Sequence, residues 1–223
     1  LERGLGGRDW LVGDAVTLAD IALFAYTHVA GEAGYRLAAF PAIDAWIARA
    51  HEAGTICVDT ETTSLAEMEA KLVGVALSTG TGEACYIPIG HGAGIQDLLS
   101  EKPKQIELEK VITLLKPLLE DPAVLKIGQN IKYDISMFCA LDIRMAPIDD
   151  TMLLSFVLEA GQHNHGMDEL SELHLGHKPI AFKDVAGTGK SQVTFDQVPL
   201  DKATQYAAED ADVTLRLWER LKP

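Results

Sequence analysis

The sequence predicts an α/β fold: a mixed β-sheet flanked by helices, preceded by a short all-α segment. Three observations point there. Residues 1 to about 43 carry apolar residues at helical spacing only. From about residue 55 a strand and then a hairpin pattern appear. After these, short apolar strands alternate with helices up to the end of the chain.

In the first segment, Thr17 stands three residues before Asp20, a capping-box-like helix start. Leu18, Ile21, Phe24 and Ala25 follow at helical spacing. A second short helix opens at Pro41, a good first-turn residue. Beyond residue 54, "TICVDTET" reads as a strand, and "KLVGVALST", "GTGE" and "ACYIPIG" read as a hairpin with a Gly-rich turn. "IELEKVITLLKPLLED" is an amphipathic helix, "AVLKIGQN" a strand, and "IKYDISMFCAL" the helix it enters. "APIDD" is a short strand before the helix "TMLLSFVLEA", and "GMDELSELHLG" is another helix. Residues 178 to 198 read mostly as loop. "DKATQYAAEDADVTLRLWERL" is a long closing helix.

Composition narrows the function classes. An apolar fraction of 48% supports an ordinary globular core. No run of about 18 apolar residues exists, so no membrane span is expected. The start, "LERGLGGRDW", lacks the basic-then-apolar order of a signal peptide. Beginning at Leu1 rather than Met suggests a fragment or a processed product. Cys57, Cys85 and Cys139 form no metal-spacing motif or disulfide framework, so a cytoplasmic setting is expected. Cys57 and Cys139 are expected to be packed among apolar residues. The net charge of −14 argues against broad electrostatic binding of nucleic acid. Carboxylates gathered around divalent ions would add to that total while forming a local positive centre.

Four acids fall where periodicity predicts burial. Asp59 and Glu61 are two residues apart in a strand, hence on one face. Two neighbouring buried carboxylates repel each other and lose hydration. Asp134 lies about one turn into a helix, and Asp210 lies in the last helix with Tyr206 four residues before it, on the same face. Each acid alone is compatible with a solvated strand end, a charged helix face or a helix-dipole partner. Together they offer oxygen ligands suited to hard cations such as Mg²⁺. A pair of such ions about 3.5–4 Å apart can activate water and stabilise both oxygens of a phosphodiester displacement.

"VDTETTSL", "GQNIKYD" and "YAAEDADVTLRL", in this order, resemble the three motifs of the DEDD-type 3′–5′ exonucleases, tyrosine subclass. The likeness is greatest to the proofreading domain of bacterial DNA polymerase I. It extends to "LVGVALSTGTGEACYIPIGH", "LKPLLEDPAVLKIGQN" and "IAFKDVAGTGKSQVTF", covering residues 44–223. RNase D-like exoribonucleases share the carboxylates but usually lack the "TETTSL" continuation and the "AGTGK…TF" loop.

The resemblance implies a ribonuclease H-like domain with two divalent metal ions, Mg²⁺ foremost and Mn²⁺ or Zn²⁺ as alternatives. It implies that Asp59, Glu61 and Asp210 hold one ion, that Asp59 and Asp134 hold the other, and that Tyr206 and Glu61 orient the water. Leu65 matches a wedge against the terminal bases, and Phe182 matches an aromatic that packs on the single strand. Without the resemblance, both also read as ordinary core. Gln129, Asn130 and Tyr133 match positions that contact the substrate strand. The implied reaction is hydrolysis of single-stranded DNA from its 3′ end, releasing nucleoside 5′-monophosphates. The expected partner is that 3′ end, with no membrane and no polymerase domain after Pro223. The alternatives are an exoribonuclease of the same chemistry and a catalytically silent structural domain.

Two strings are decoys. "AGTGKS" has Asp184 where the phosphate-loop pattern needs its first Gly, and no strand-to-helix context. "HNH" at 163–165 reads as polar loop, with no partner ligands at metal spacing in the sequence.

The first residues, with "TLADIALFAY", resemble the late helical domain of a bacterial glutathione transferase. The thioredoxin-like half is absent, so no glutathione binding is expected. "AWIARA" fits either family, which motivates the hypothesis of a chimera joined at a shared stretch. A long sequencing read across the locus tests it. Loose packing of residues 1–40 is expected, with Ile21, Leu23, Phe24 and Tyr26 exposed.

Overall fold

The computed structural model describes residues 5–8, 11, 54–92 and 105–222. The helices read around Thr17–Asp20 and Pro41, and the expected exposure of Ile21, Leu23, Phe24 and Tyr26, lie outside these residues. Leu5 is described and is buried in the main core, with Leu11 packed beside it.

A mixed five-stranded sheet forms the centre. Its strands are β1 (Thr55–Thr62), β2 (Leu72–Gly80), β3 (Glu83–Pro88), β4 (Leu125–Gly128) and β5 (Ile148–Asp150), in the order β3-β2-β1-β4-β5. β2 runs antiparallel to both of its neighbours, β1 and β3, whereas β4 pairs parallel with β1 and β5 parallel with β4. Parallel neighbours require crossover connections. α1 (Leu108–Glu120) precedes β4, and α2 (Lys132–Cys139) joins β4 to β5. α3 (Thr151–Glu159), α4 (Met167–Leu175), the short α5 (Phe182–Ala186) and α6 (Leu200–Leu221) follow. The 178–198 stretch is therefore more ordered than a loop, because Phe182 starts a helical turn that buries Ala186.

Alternation along β1 sorts its side chains between two cores. Ile56 and Val58 join α1 and α2 through Val111, Leu115, Leu119, Ile131 and Phe138. Cys57 faces α6 with Ala203, Ala207 and Ala211. These small residues let α6 lie close against the sheet. Asp59 and Glu61 continue the Cys57 side, so the alternation aims them toward the α6 face. Cys57 is buried as expected, but Cys139 is exposed at the end of α2, on the face turned from the core.

Lys126 in β4 is fully buried. Its three ammonium donors meet the carbonyls of Asp121 and Val124, each at 2.7 Å, and of Ala146. Lys126→Met removes all three bonds at once. An unsatisfied buried acceptor costs about 1–3 kcal/mol, so we expect a loss of roughly 2–4 kcal/mol in urea unfolding. A change below about 0.5 kcal/mol would show that solvent reaches these carbonyls.

Candidate active site

β1 ends in the cleft. Carboxylate oxygens of Asp59, Glu61 and Asp210 lie within 4.8 Å of one another. Glu61 and Asp210 are buried, and each keeps one buried oxygen, Oε1 and Oδ1 respectively, with no hydrogen-bond partner. Buried acceptors are rarely left in that state. Burial pushes Asp59 up to about 6. Glu61 is raised well above the usual carboxylate range by burial and then by the charges of Asp59, Asp210 and Asp134. Burial and Asp59 raise Asp210, while the Tyr206 hydroxyl pulls it partly back. Such a group of acids is costly by itself and is relieved by a cation. Its oxygen donors fit a hard divalent ion.

Asp134 stands beside this trio. Burial and the Asp59 charge raise it. The Thr60 amide and hydroxyl both donate to its Oδ1, at 2.8 and 2.6 Å. Thr60 therefore fixes Asp134 from the residue lying between the two strand acids. Asp150 positions α2 from the other end. Its carboxylate accepts the amides of Asn130 and Ile131, at 3.0 and 3.1 Å, and that of Met152 at 2.9 Å. One side chain thus caps α3 and holds the loop entering α2. Asn130 adopts φ 57°, a left-handed conformation that Asn tolerates better than most residues.

A cleft of about 610 Å³ is lined by Asp59, Glu61, Leu65, Gln129, Asn130, Tyr133, Asp134, Phe182 and Tyr206. Every site residue expected from the sequence is thus gathered here except Asp210, which joins through the acid trio. Leu65 is 93% exposed, so it is not core. The Tyr133 hydroxyl bonds the Ser64 carbonyl and the Thr62 hydroxyl, pinning the turn that presents Leu65. Phe182 is 40% exposed and packs against Phe195 and Tyr206. Gln129 differs from expectation in one respect. Its amide N–H donates to the His165 carbonyl, and its oxygen accepts the Thr151 hydroxyl, so its first task is to hold the wall.

Sequence reasoning missed Thr60, Asp150, Phe195 and Tyr86. Asp150 directly before "TMLLSF" was a readable N-cap signal. Phe195 offered no local signal beyond its apolar string. Burial and then the charges of Glu61 and Asp59 raise Tyr86, whose hydroxyl pairs with His91 Nε2 at 2.7 Å. It also fills the space over Gly74, the β2 partner of Glu61, where a Cβ would sit 2.2 Å from the Tyr86 hydroxyl. The phosphate-loop decoy lies on an exposed turn after a helix. "HNH", by contrast, does have neighbours the sequence hid: Glu159 and His174 lie against His163. No helix among the described residues is long and apolar enough to cross a membrane.

Comparison with known proteins bears on the family and the fold. A family model described as 3′–5′ exonuclease matches residues 41–223. A second, the C-terminal domain of glutathione S-transferase, matches residues 1–52, overlapping the first across "AWIARA". DNA polymerase I of Rhizobium leguminosarum is 52% identical over 81% of this chain, and that of Pseudomonas aeruginosa is 44% identical over 80%. The chain spans only 19% and 20% of those two proteins. Among solved structures, Brucella melitensis NrnC aligns with TM-score 0.56 at 22% identity, over 76% of this chain and 72% of that one. Escherichia coli RNase D, an exoribonuclease, aligns with TM-score 0.52 at 19% identity, over 80% and 42%. The fold is thus ribonuclease H-like, and the chain belongs to the 3′–5′ exonuclease family of DNA polymerase I.

Proposed function

We propose that the chain is a metal-dependent exodeoxyribonuclease. It hydrolyses the 3′-terminal phosphodiester of single-stranded DNA and releases nucleoside 5′-monophosphates. The observation that supports this most is the meeting of Asp59, Glu61 and Asp210 at a cleft, with buried oxygens left unpartnered. Asp59, Glu61 and Asp210 would hold one divalent ion, and Asp59 with Asp134 the second. Bound ions of this kind acidify water and neutralise charge on a scissile phosphate.

The chain's own groups supply the rest. Burial and the charge of Asp210 keep Tyr206 a protonated phenol, so its hydroxyl can orient an attacking water as a neutral group. Glu61, across the acid trio, would align the same water. Leu65 would wedge against the terminal base, and Phe182 would stack on the strand. Such stacking contributes roughly 1–3 kcal/mol per base and tolerates any sequence. Asn130 and Tyr133 would contact the strand directly, with Gln129 bracing them. The acidic chain should hold free strands loosely, because few phosphates can be neutralised.

Residues 44–223 would form this exonuclease unit, and residues 1–43 a helical transferase-like fragment. The overlap of the two family matches supports a join within that shared stretch.

Digestion of matched 5′-labelled single-stranded DNA and RNA tests the substrate class. We expect a Mg²⁺-dependent ladder shortening from the 3′ end, with DNA degraded faster. Faster degradation of RNA would instead assign an exoribonuclease, and no ladder on either would indicate a silent domain.

A further inference from the structure

We propose a second metal site, for a transition-metal dication of the Zn²⁺ type, built by Glu159, His163 and His174 at the α3–α4 corner. Glu159 ends α3, His163 lies in the following loop, and His174 lies in the last turn of α4. The Nε2 atoms of both histidines approach the same Glu159 oxygen, at 2.9 and 3.0 Å. All three ligand atoms lie within 4.8 Å of one another. Both imidazoles are largely buried, with 12% side-chain exposure each.

Two details shape this corner for a cation. His163 Nδ1 lies 2.6 Å from the Asn164 carbonyl. A carbonyl only accepts, so Nδ1 carries a proton and Nε2 is the ring atom turned toward Glu159, where a cation would take the place of the second proton that otherwise bridges the pair. That is how protein carbonyls orient metal-bound histidines. In addition, His174 Nε2 is buried and makes no well-formed hydrogen bond, although a carboxylate oxygen is 3.0 Å away. When both Nε2 atoms are unprotonated, they and the Glu159 oxygen are three acceptors facing one another, and a dication between them satisfies all three.

The donor set selects the metal. Two imidazoles and one carboxylate suit Zn²⁺ with water completing a four-coordinate shell. Mg²⁺ prefers an all-oxygen shell. His165, whose ring lies tilted against that of His163, is outside the ligand cluster, and its Nδ1 bonds the Ser155 hydroxyl. It links the corner to the cleft, since its carbonyl receives the Gln129 amide. A cation here would brace the loop that holds Gln129. It would be separate from the carboxylate centre and independent of the nuclease assignment.

The test uses the tag-free chain carrying Asp59→Asn and Asp210→Asn, which disables the acid trio. Calorimetric titration with Zn²⁺ should show one equivalent bound. Replacing Zn²⁺ with Co²⁺ should give the intense visible absorption of a four-coordinate ion. Adding His174→Gln should weaken Zn²⁺ binding by more than the roughly 10–100-fold typical of losing an outer-shell partner. His163→Gln should do the same, and serves if His174→Gln fails to fold by circular dichroism. Absence of Zn²⁺ binding in the chain with intact histidines overturns the site. So does undiminished binding in the folded histidine variants, which would place the ion elsewhere.

Discussion

Asp210→Asn should lower Mg²⁺-dependent release of mononucleotides by at least about 10³-fold, since carboxylates acting on one centre fail as a unit. The substitution is nearly isosteric and removes a charge that the other acids oppose. Desolvation and the Asp59 charge already disfavour ionised Asp210 in the fold. The metal-free variant should therefore be as stable as the parent or more so. Measuring rate and melting midpoint together separates the two effects. A rate near that of the parent would remove Asp210 from the metal centre. A lost rate with a collapsed midpoint would point to a structural role instead.

The second large effect is on pH. Asp59, Glu61, Asp134 and Asp210 all have folded values above their ordinary ones. An acid raised on folding binds more protons folded than unfolded. Its stabilisation is present at low pH and is lost as pH rises through the folded value. Asp59, moved from 3.8 to about 6, sets a window that begins near pH 4 and reaches at least pH 6. Asp142 acts in the opposite sense in acid, because a hydrogen bond from Lys116 lowers it. Its contribution fades as pH falls below the carboxylate range. In chelator, the melting midpoint should thus peak near about pH 4 and decline toward pH 8. Millimolar Mg²⁺ should restore it at neutral pH, because only the folded chain presents the assembled ligands. A midpoint that is flat or rising between pH 5 and 8 in chelator would mean that these acids do not repel as described.

Much of the fold was legible because its signals are local. Alternation marked β1, and apolar periodicity marked α1 and α6. The acids could be read because charge inside an apolar pattern is conspicuous. What stayed hidden depends on partners far apart in sequence. Nothing near Thr60 announces that its hydroxyl holds Asp134. His174 looks like one more polar residue on an amphipathic helix until the α3–α4 corner folds it against Glu159. The exposure of Cys139 was misjudged because neighbouring apolar letters say little about which face of a short helix turns outward. Phe182 was picked out by likeness, but the turn of helix that carries it was not, since five residues give too little periodicity.

The shared anchor at Asp150 has a consequence for motion. Because one carboxylate holds both the entry to α2 and the start of α3, a displacement of one helix is expected to carry the other with it. Asp134 rides on α2, and Gln129 leads into it, so that side of the cleft behaves as a rigid jaw. Any opening of the cleft is then expected on the opposite side. There Phe182 sits on a single helical turn, followed by the short 3₁₀ turns at Gly189–Ser191 and Phe195–Gln197. Asp134 is thus held on the braced side, whereas Asp210 shares its helix with Tyr206 of the aromatic wall, so the acid cluster spans both.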